Sequence, residues 1–207
     1  MSRVGIMGGT FNPIHLAHVE MGKACLKQQN LDKVLFMPSK NPPHKEKKEI
    51  LSDRNRADMV KLALSGYEEL EFSDFELLRD GTTYTADTLR LLQEKNPHDR
   101  YYFIMGADSL LYLDEWYKPD EILKRAVILA IGRNCSTRSE LHEKKRELIG
   151  MFPYADIRFV HMEQMPISSS SIRQNISDGI NMEGYLGESV WNYICDNHLY
   201  GMDAVDI

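Results

Sequence analysis

Short apolar runs recur along this chain with room for a helix between most neighbours, and that rhythm limits the folds open to it. Val4 to Met7, Val34 to Met37, Tyr101 to Met105, Ala126 to Ile131 and Ile157 to Val160 read as strands. Helical patterns cover about His15 to Gln29, Asp53 to Leu64, Thr85 to Glu94 and Arg138 to Ile149. Strands joined by helix-length segments pair in parallel through crossovers rather than as hairpins. The expected class is α/β: a doubly wound, mostly parallel sheet with helices on both faces. Ligands of such sheets bind beyond the carboxyl ends of the strands, where the strand order reverses.

The chain has 207 residues, 43% of them hydrophobic, enough to bury a substantial core. The expected organisation is a single domain over residues 1–207 with a small C-terminal helical portion from about residue 169. No basic, apolar leader is visible, and no apolar run approaches the ~18 residues a membrane span requires. Cys25, Cys135 and Cys195 are an odd number at unpatterned spacing, which fits reduced thiols better than a disulfide framework. A cytoplasmic protein is expected. The formal net charge of −6 argues against broad attraction to nucleic acid or anionic membranes, so a phosphate ligand needs local cations.

Such cations and donors cluster in two places. Directly after Val4 to Met7 comes Gly8-Gly9-Thr10-Phe11-Asn12-Pro13-Ile14-His15-Leu16-Ala17-His18. Paired glycines allow a sharp turn and close approach to an anion, and the free N–H groups of the next helix favour negative charge. His15 and His18, three apart, project from one side of that helix. A simple turn, or a structural or metal-binding histidine pair, would read similarly, although no third ligand stands at a familiar zinc spacing. The dinucleotide-fold glycine fingerprint and the P-loop are both absent. Late in the chain, Pro166-Ile167-Ser168-Ser169-Ser170-Ser171-Ile172-Arg173 offers hydroxyls, backbone donors and a guanidinium at a helix start. A linker or helix cap is the plain alternative. Between them, the proline- and lysine-rich stretch from Met37 to Lys48 reads as a loop on the ligand side, with a solvated basic loop as its rival.

The segments Gly8 to His18 and Ile167 to Arg173 together resemble the paired signatures of the nucleotidyltransferase α/β phosphodiesterase superfamily. Within it the chain resembles the bacterial nicotinate mononucleotide adenylyltransferases from Met1 to about Tyr200. Pro43-His44-Lys45, Thr83-Tyr84-Thr85, Gly106-Ala107-Asp108-Ser109 and Trp116-Tyr117 fall where that family carries its intermediate motifs. The family usually has aspartate at the position of Asn12, which keeps an acceptor but loses a charge, and glycine at the position of Ala17.

The resemblance implies a Rossmann-like nucleotidyltransferase fold and transfer of an adenylyl group from ATP to nicotinate mononucleotide, giving deamido-NAD and pyrophosphate. Carried over by position, ATP would meet Gly8, Gly9, Thr10, Phe11, Ser169 and Ser170, with Gly106 and Asp108 near its ribose and bridging phosphate. His18, Lys45 and Arg173 would stabilise charge on the reacting phosphates, with His15 orienting them. Trp116 would stack on the nicotinate ring and backbone amides at Thr85 and Tyr117 would read its carboxylate. Asn41, Lys45 and Arg133 are candidates for the mononucleotide phosphate. Magnesium would accompany ATP, held mainly by ligand oxygens and water, with no metal site built from the protein. The partners implied are small molecules, without nucleic acid or membrane. Many related enzymes associate, so a homo-oligomer is also among the expectations. Two alternatives stay open: another adenylyl- or cytidylyltransferase, with pantetheine phosphate or nicotinamide mononucleotide as acceptor, and a nucleotide-sensing module without turnover.

Overall fold

A computed structural model describes residues 1–40, 50–132, 138–163 and 165–201. Six strands form one parallel sheet: Arg3–Gly9 (β1), Lys33–Pro38 (β2), Leu70–Phe72 (β3), Arg100–Gly106 (β4), Ala126–Gly132 (β5) and Ile157–His161 (β6). Their spatial order is β3-β2-β1-β4-β5-β6. The chain winds outward from β1 to β3, crosses back, and winds outward again from β4. The order therefore reverses between β1 and β4, which pair directly from Arg3 opposite Arg100 to Ile6 opposite Phe103. Beyond their carboxyl ends lies the crevice that such a reversal creates.

Side-chain alternation explains why both faces are covered. Along β4, Tyr101, Phe103 and Met105 enter one apolar cluster, and Tyr102 and Ile104 enter the other. Along β5, Ala126, Ile128 and Ala130 join the first cluster, and Val127, Leu129 and Ile131 the second. A strand buried on both faces must be apolar at successive positions, and these are.

The first cluster is closed by Thr85–Lys95 (α3), Ala107–Leu110 (α4), Pro119–Arg125 (α5) and Arg138–Met151 (α6). The second is closed by Leu16–Gln28 (α1), Asp53–Leu64 (α2), Ser169–Ser177 (α7), Glu183–Leu186 (α8) and Glu188–Asp196 (α9). Helix α1 sits unusually close to the sheet: a Cβ added at Gly22 would lie 2.7 Å from Cζ of the buried Phe36. Among the described residues, no helix is long and apolar enough to cross a membrane.

The elements read from sequence recur with small shifts. Strand β3 and helices α5, α8 and α9 escaped that reading. The glycine turn is also placed differently: β1 runs through both Gly8 and Gly9, and neither has positive φ. The chain bends instead at Phe11 (φ 48°) and through a cis Asn12–Pro13 peptide. The glycines serve clearance. A Cβ at Gly9 would stand 3.1 Å from the Phe11 ring, while one at Gly8 would project where only Phe103, at 3.8 Å, comes near.

Candidate active site

The turn after β1 is held through its acceptors. Arg56, a fully buried side chain on α2, donates from Nη1 to the Thr10 carbonyl at 2.7 Å and from Nε to the Leu51 carbonyl at 3.2 Å. Its third arm reaches Asp53 at 2.5 Å. Arg173, on α7, donates to the Asn12 carbonyl at 2.9 Å. Ser169 donates from Oγ to the Pro13 carbonyl at 2.9 Å. Asn12 Oδ1 accepts from the Tyr200 hydroxyl at 3.0 Å and from the Leu51 amide at 3.3 Å. Loss of solvation holds the Tyr200 phenol well above its ordinary range, against the pull of Arg173 and Arg56, so it stays a neutral donor. Carbonyl dipoles that would repel an anion are thereby covered, two of them by guanidinium groups.

Helix α1 begins one residue later than the sequence pattern implies. His15 is its extended N-cap and His18 its third residue. Their rings stack, with centroids 3.8 Å apart. The His15 amide donates to His18 Nδ1 at 3.3 Å, which places the proton of a neutral His18 imidazole on Nε2 and makes that nitrogen the donor. The edge of His18 meets Phe11, centroids 5.2 Å apart. His18 is half-buried, whereas His15 is only 3% exposed. His15 is thus placed to support its neighbour rather than to meet a ligand broadside.

The serine run is bonded both within itself and to the first motif. Ser168 and Ser171 cap α7 reciprocally: the Ser171 amide donates to Ser168 Oγ at 3.2 Å and the Ser168 amide to Ser171 Oγ at 3.1 Å. The Ser170 hydroxyl lies 3.0 Å from that of Ser168. Ser169 and Arg173 reach across to the turn, joining segments more than 150 residues apart.

Beside the turn opens a cavity of about 510 Å³, within the usual range for small-molecule sites. It unites Gly8, Gly9 and Thr10 with Thr85, Trp116 and Tyr117. Trp116 packs edge-on to Phe103, with centroids 6.1 Å apart, and Tyr117 lies against Tyr84 at 4.4 Å. Thr85 is the first residue of α3 and Tyr84 its N-cap. Lys144 on α6 secures the Trp116 segment by an ion pair to Asp114 at 2.8 Å.

Gly106 ends β4 and caps α4, whose exposed Asp108 lies in its first turn. Neither lines this cavity. Asn41, Lys45 and Arg133, with Pro43 and His44, fall outside the described residues. Sequence reasoning did not single out Arg56, Tyr200 or Glu76. Arg56 sits in a charged helical stretch and resembles a surface residue, and Tyr200 follows no motif. Glu76, which lines the cavity at 7% exposure, precedes Thr83-Tyr84-Thr85 closely enough that this neighbourhood was the available signal. Cys25 is fully buried, its thiol pushed up to about 12 by burial, which makes it inert packing.

A profile of the family described as Cytidylyltransferase-like matches residues 6–175. The chain is 38% identical over 200 residues to a "Probable nicotinate-nucleotide adenylyltransferase" of Lachnoclostridium phytofermentans, covering 97% of this chain and 100% of that relative. It is 39% identical over 199 residues to a protein of the same description from Carboxydothermus hydrogenoformans, covering 96% and 98%. The Plasmodium falciparum nicotinic acid mononucleotide adenylyltransferase complexed with NaAD shares the fold, with a TM-score of 0.81 at 18% identity over 99% of this chain and 100% of that one.

Proposed function

The chain belongs to the Cytidylyltransferase-like family and, within it, to the nicotinate-nucleotide adenylyltransferases, and on that premise we propose how its site joins ATP to nicotinate mononucleotide, releasing pyrophosphate and giving deamido-NAD. The observation that carries the reading is the clamp. Arg173 and Ser169 bind the Asn12 and Pro13 carbonyls, at a turn lying between the stacked histidines and the cavity that holds Trp116.

A phosphate oxygen of the mononucleotide attacks the α-phosphorus of ATP, and pyrophosphate leaves in line. This nucleophile is already anionic, so no general base or covalent enzyme intermediate is required. The barrier comes from bringing two anions together and from charge growing on the leaving oxygens, which fixed donors and orientation lower. In this reading His18 donates from Nε2 to the bridging and leaving oxygens, and His15 acts through it as a positioning residue. Arg173 supplies charge from behind the turn, and the amides of Gly8 to Phe11 and of Ser169 and Ser170 bind the triphosphate. Gly106 and Asp108 serve the ribose side. Trp116 stacks on the pyridine ring, with the Thr85 and Tyr117 amides at its carboxylate. Lys45, Asn41 and Arg133 enter on the family resemblance, for the mononucleotide phosphate.

Among the described residues no three His, Cys, Asp or Glu side chains gather to hold a metal ion. Magnesium enters on the family resemblance: held by triphosphate oxygens and water, it would neutralise phosphate charge. We read the whole chain as one nucleotidyltransferase domain acting in the cytoplasm. The deciding assay mixes protein, ATP, magnesium and nicotinate mononucleotide and follows pyrophosphate. Release at ordinary enzymatic rates is expected; ATP binding without release would point to the nucleotide-sensing alternative.

A further inference from the structure

An acidic side chain is an unexpected neighbour for an anionic ring. Glu76 lines the same cavity as Thr85, Trp116 and Tyr117, and it is 7% exposed. One of its oxygens, Oε1, accepts from Thr88 Oγ1 at 2.6 Å, and that hydroxyl accepts in turn from Arg79 Nη1 at 2.8 Å. Arg79 therefore reaches this oxygen through an intervening hydroxyl, which compensates a buried charge only partly. Among the described residues, the other titratable groups lining the cavity are Glu115, Tyr84 and Tyr117. Lys118 stands outside, its Nζ 5.0 Å from the centroid of the Tyr117 ring.

We propose that Glu76 sets the choice between an acid and an amide on the pyridine ring: as a neutral acid it accommodates a ring carboxylate, and as a carboxylate it repels that ring while tolerating a carboxamide. The proposal rests on reading this cavity as the ring site. Burial holds the Glu76 carboxyl above the usual carboxylate range, although the Thr88 hydroxyl and the Arg79 charge pull it back. The protonated form thus persists to higher pH than at an exposed glutamate, and binding of a ring carboxylate carries a proton with it. The amide does not.

The test is calorimetric binding of nicotinate mononucleotide and of nicotinamide mononucleotide, each with a non-hydrolysable ATP analogue present, from about pH 6 to about pH 9. The phosphate of the two ligands and every cation around it titrate alike, so the ratio of affinities isolates the ring end. The acid-to-amide ratio is expected to fall as pH rises, by up to about tenfold per pH unit where one proton is taken up with the acid alone. In Glu76→Gln, which keeps the shape of the neutral acid, the ratio should stay flat. Thr88→Val removes a donor that favours the carboxylate, so it should move the fall to higher pH. A flat ratio in the unmodified protein overturns the proposal without recourse to any variant, and so does an unchanged slope in a folded Glu76→Gln protein. Failure of both mononucleotides to bind would instead overturn the reading of the cavity, and this proposal with it.

Discussion

The turn at residues 10–13 is held by polar groups arriving from helices α2 and α7 and from the turn near residue 200, whereas the wall at residues 83–85 and 116–117 is built mainly of packed rings, with the Lys144–Asp114 ion pair beside Trp116. At the first, hydrogen bonds converge on main-chain carbonyls, and Pro13 offers no amide of its own. At the second, Trp116 leans on Phe103 and Tyr117 on Tyr84, and a relay from Arg79 through Thr88 to Glu76 adds polar bonds. The contrast matches what each end would recognise in the proposed reading. Developing charge on phosphates calls for dipoles that do not reorganise, while a flat ring calls for an apolar slot with few polar markers.

The largest effect expected from breaking this contrast is at the phosphate end. Replacing His18 with alanine should lower turnover by about 10²- to 10³-fold while keeping ATP affinity within roughly an order of magnitude. Near-normal turnover in a folded variant would remove His18 from the chemistry. Arg56→Leu leaves the Thr10 and Leu51 carbonyls without their donor and should cost about 2–3 kcal/mol in a denaturant melt. A loss well below 1 kcal/mol would mean that the turn does not depend on this brace.

The ring end should respond differently. Trp116→Ala is expected to raise the KM for the mononucleotide about tenfold through lost ring packing and to leave that for ATP nearly unchanged. Equal effects on both substrates would erase the distinction between the ends. Tyr200→Phe removes one hydrogen bond to Asn12 and should cost about 1 kcal/mol, again read from unfolding. The smallest expected effect is a matter of sign. Because the folded protein raises the Glu76 pKa, stability associated with its protonated form is present below the unfolded value and is lost as pH rises through the folded one. Glu76→Gln should therefore gain in melting temperature relative to the unmodified protein as pH increases; a difference independent of pH would contradict the shift.

How far the sequence reveals this molecule depends on the range of the interactions involved. Helix α2 spans Asp53–Leu64, as its pattern implies, because Ser52 caps it and apolar positions recur at helical spacing. Strand β3 has three residues, too few for alternation to register. Helix α9 starts from Gly187 at φ 80°, a start without the usual side-chain cap. At the site, both glycine–histidine and serine–arginine motifs are visible as strings, but the manner of their meeting is not. The serine run reads as an anion cradle because hydroxyls and free amides gather at a helix start; that Ser168, Ser170 and Ser171 also bond among themselves and that Ser169 reaches the turn is legible only in the fold. Arg56 and Glu76 stayed inconspicuous because burial of a charge is a tertiary property. Asn12 is more informative in retrospect: its oxygen receives both Tyr200 and Leu51, so it uses the acceptor it retains.

The bonds from Ser169, Arg173 and Tyr200 to residues 12 and 13 carry a consequence for biosynthesis. A ribosome delivers the opening motif first, yet that motif lacks these three fastenings until almost two hundred residues have been translated. A chain released early would keep the sequence of this turn without the three bonds that brace it.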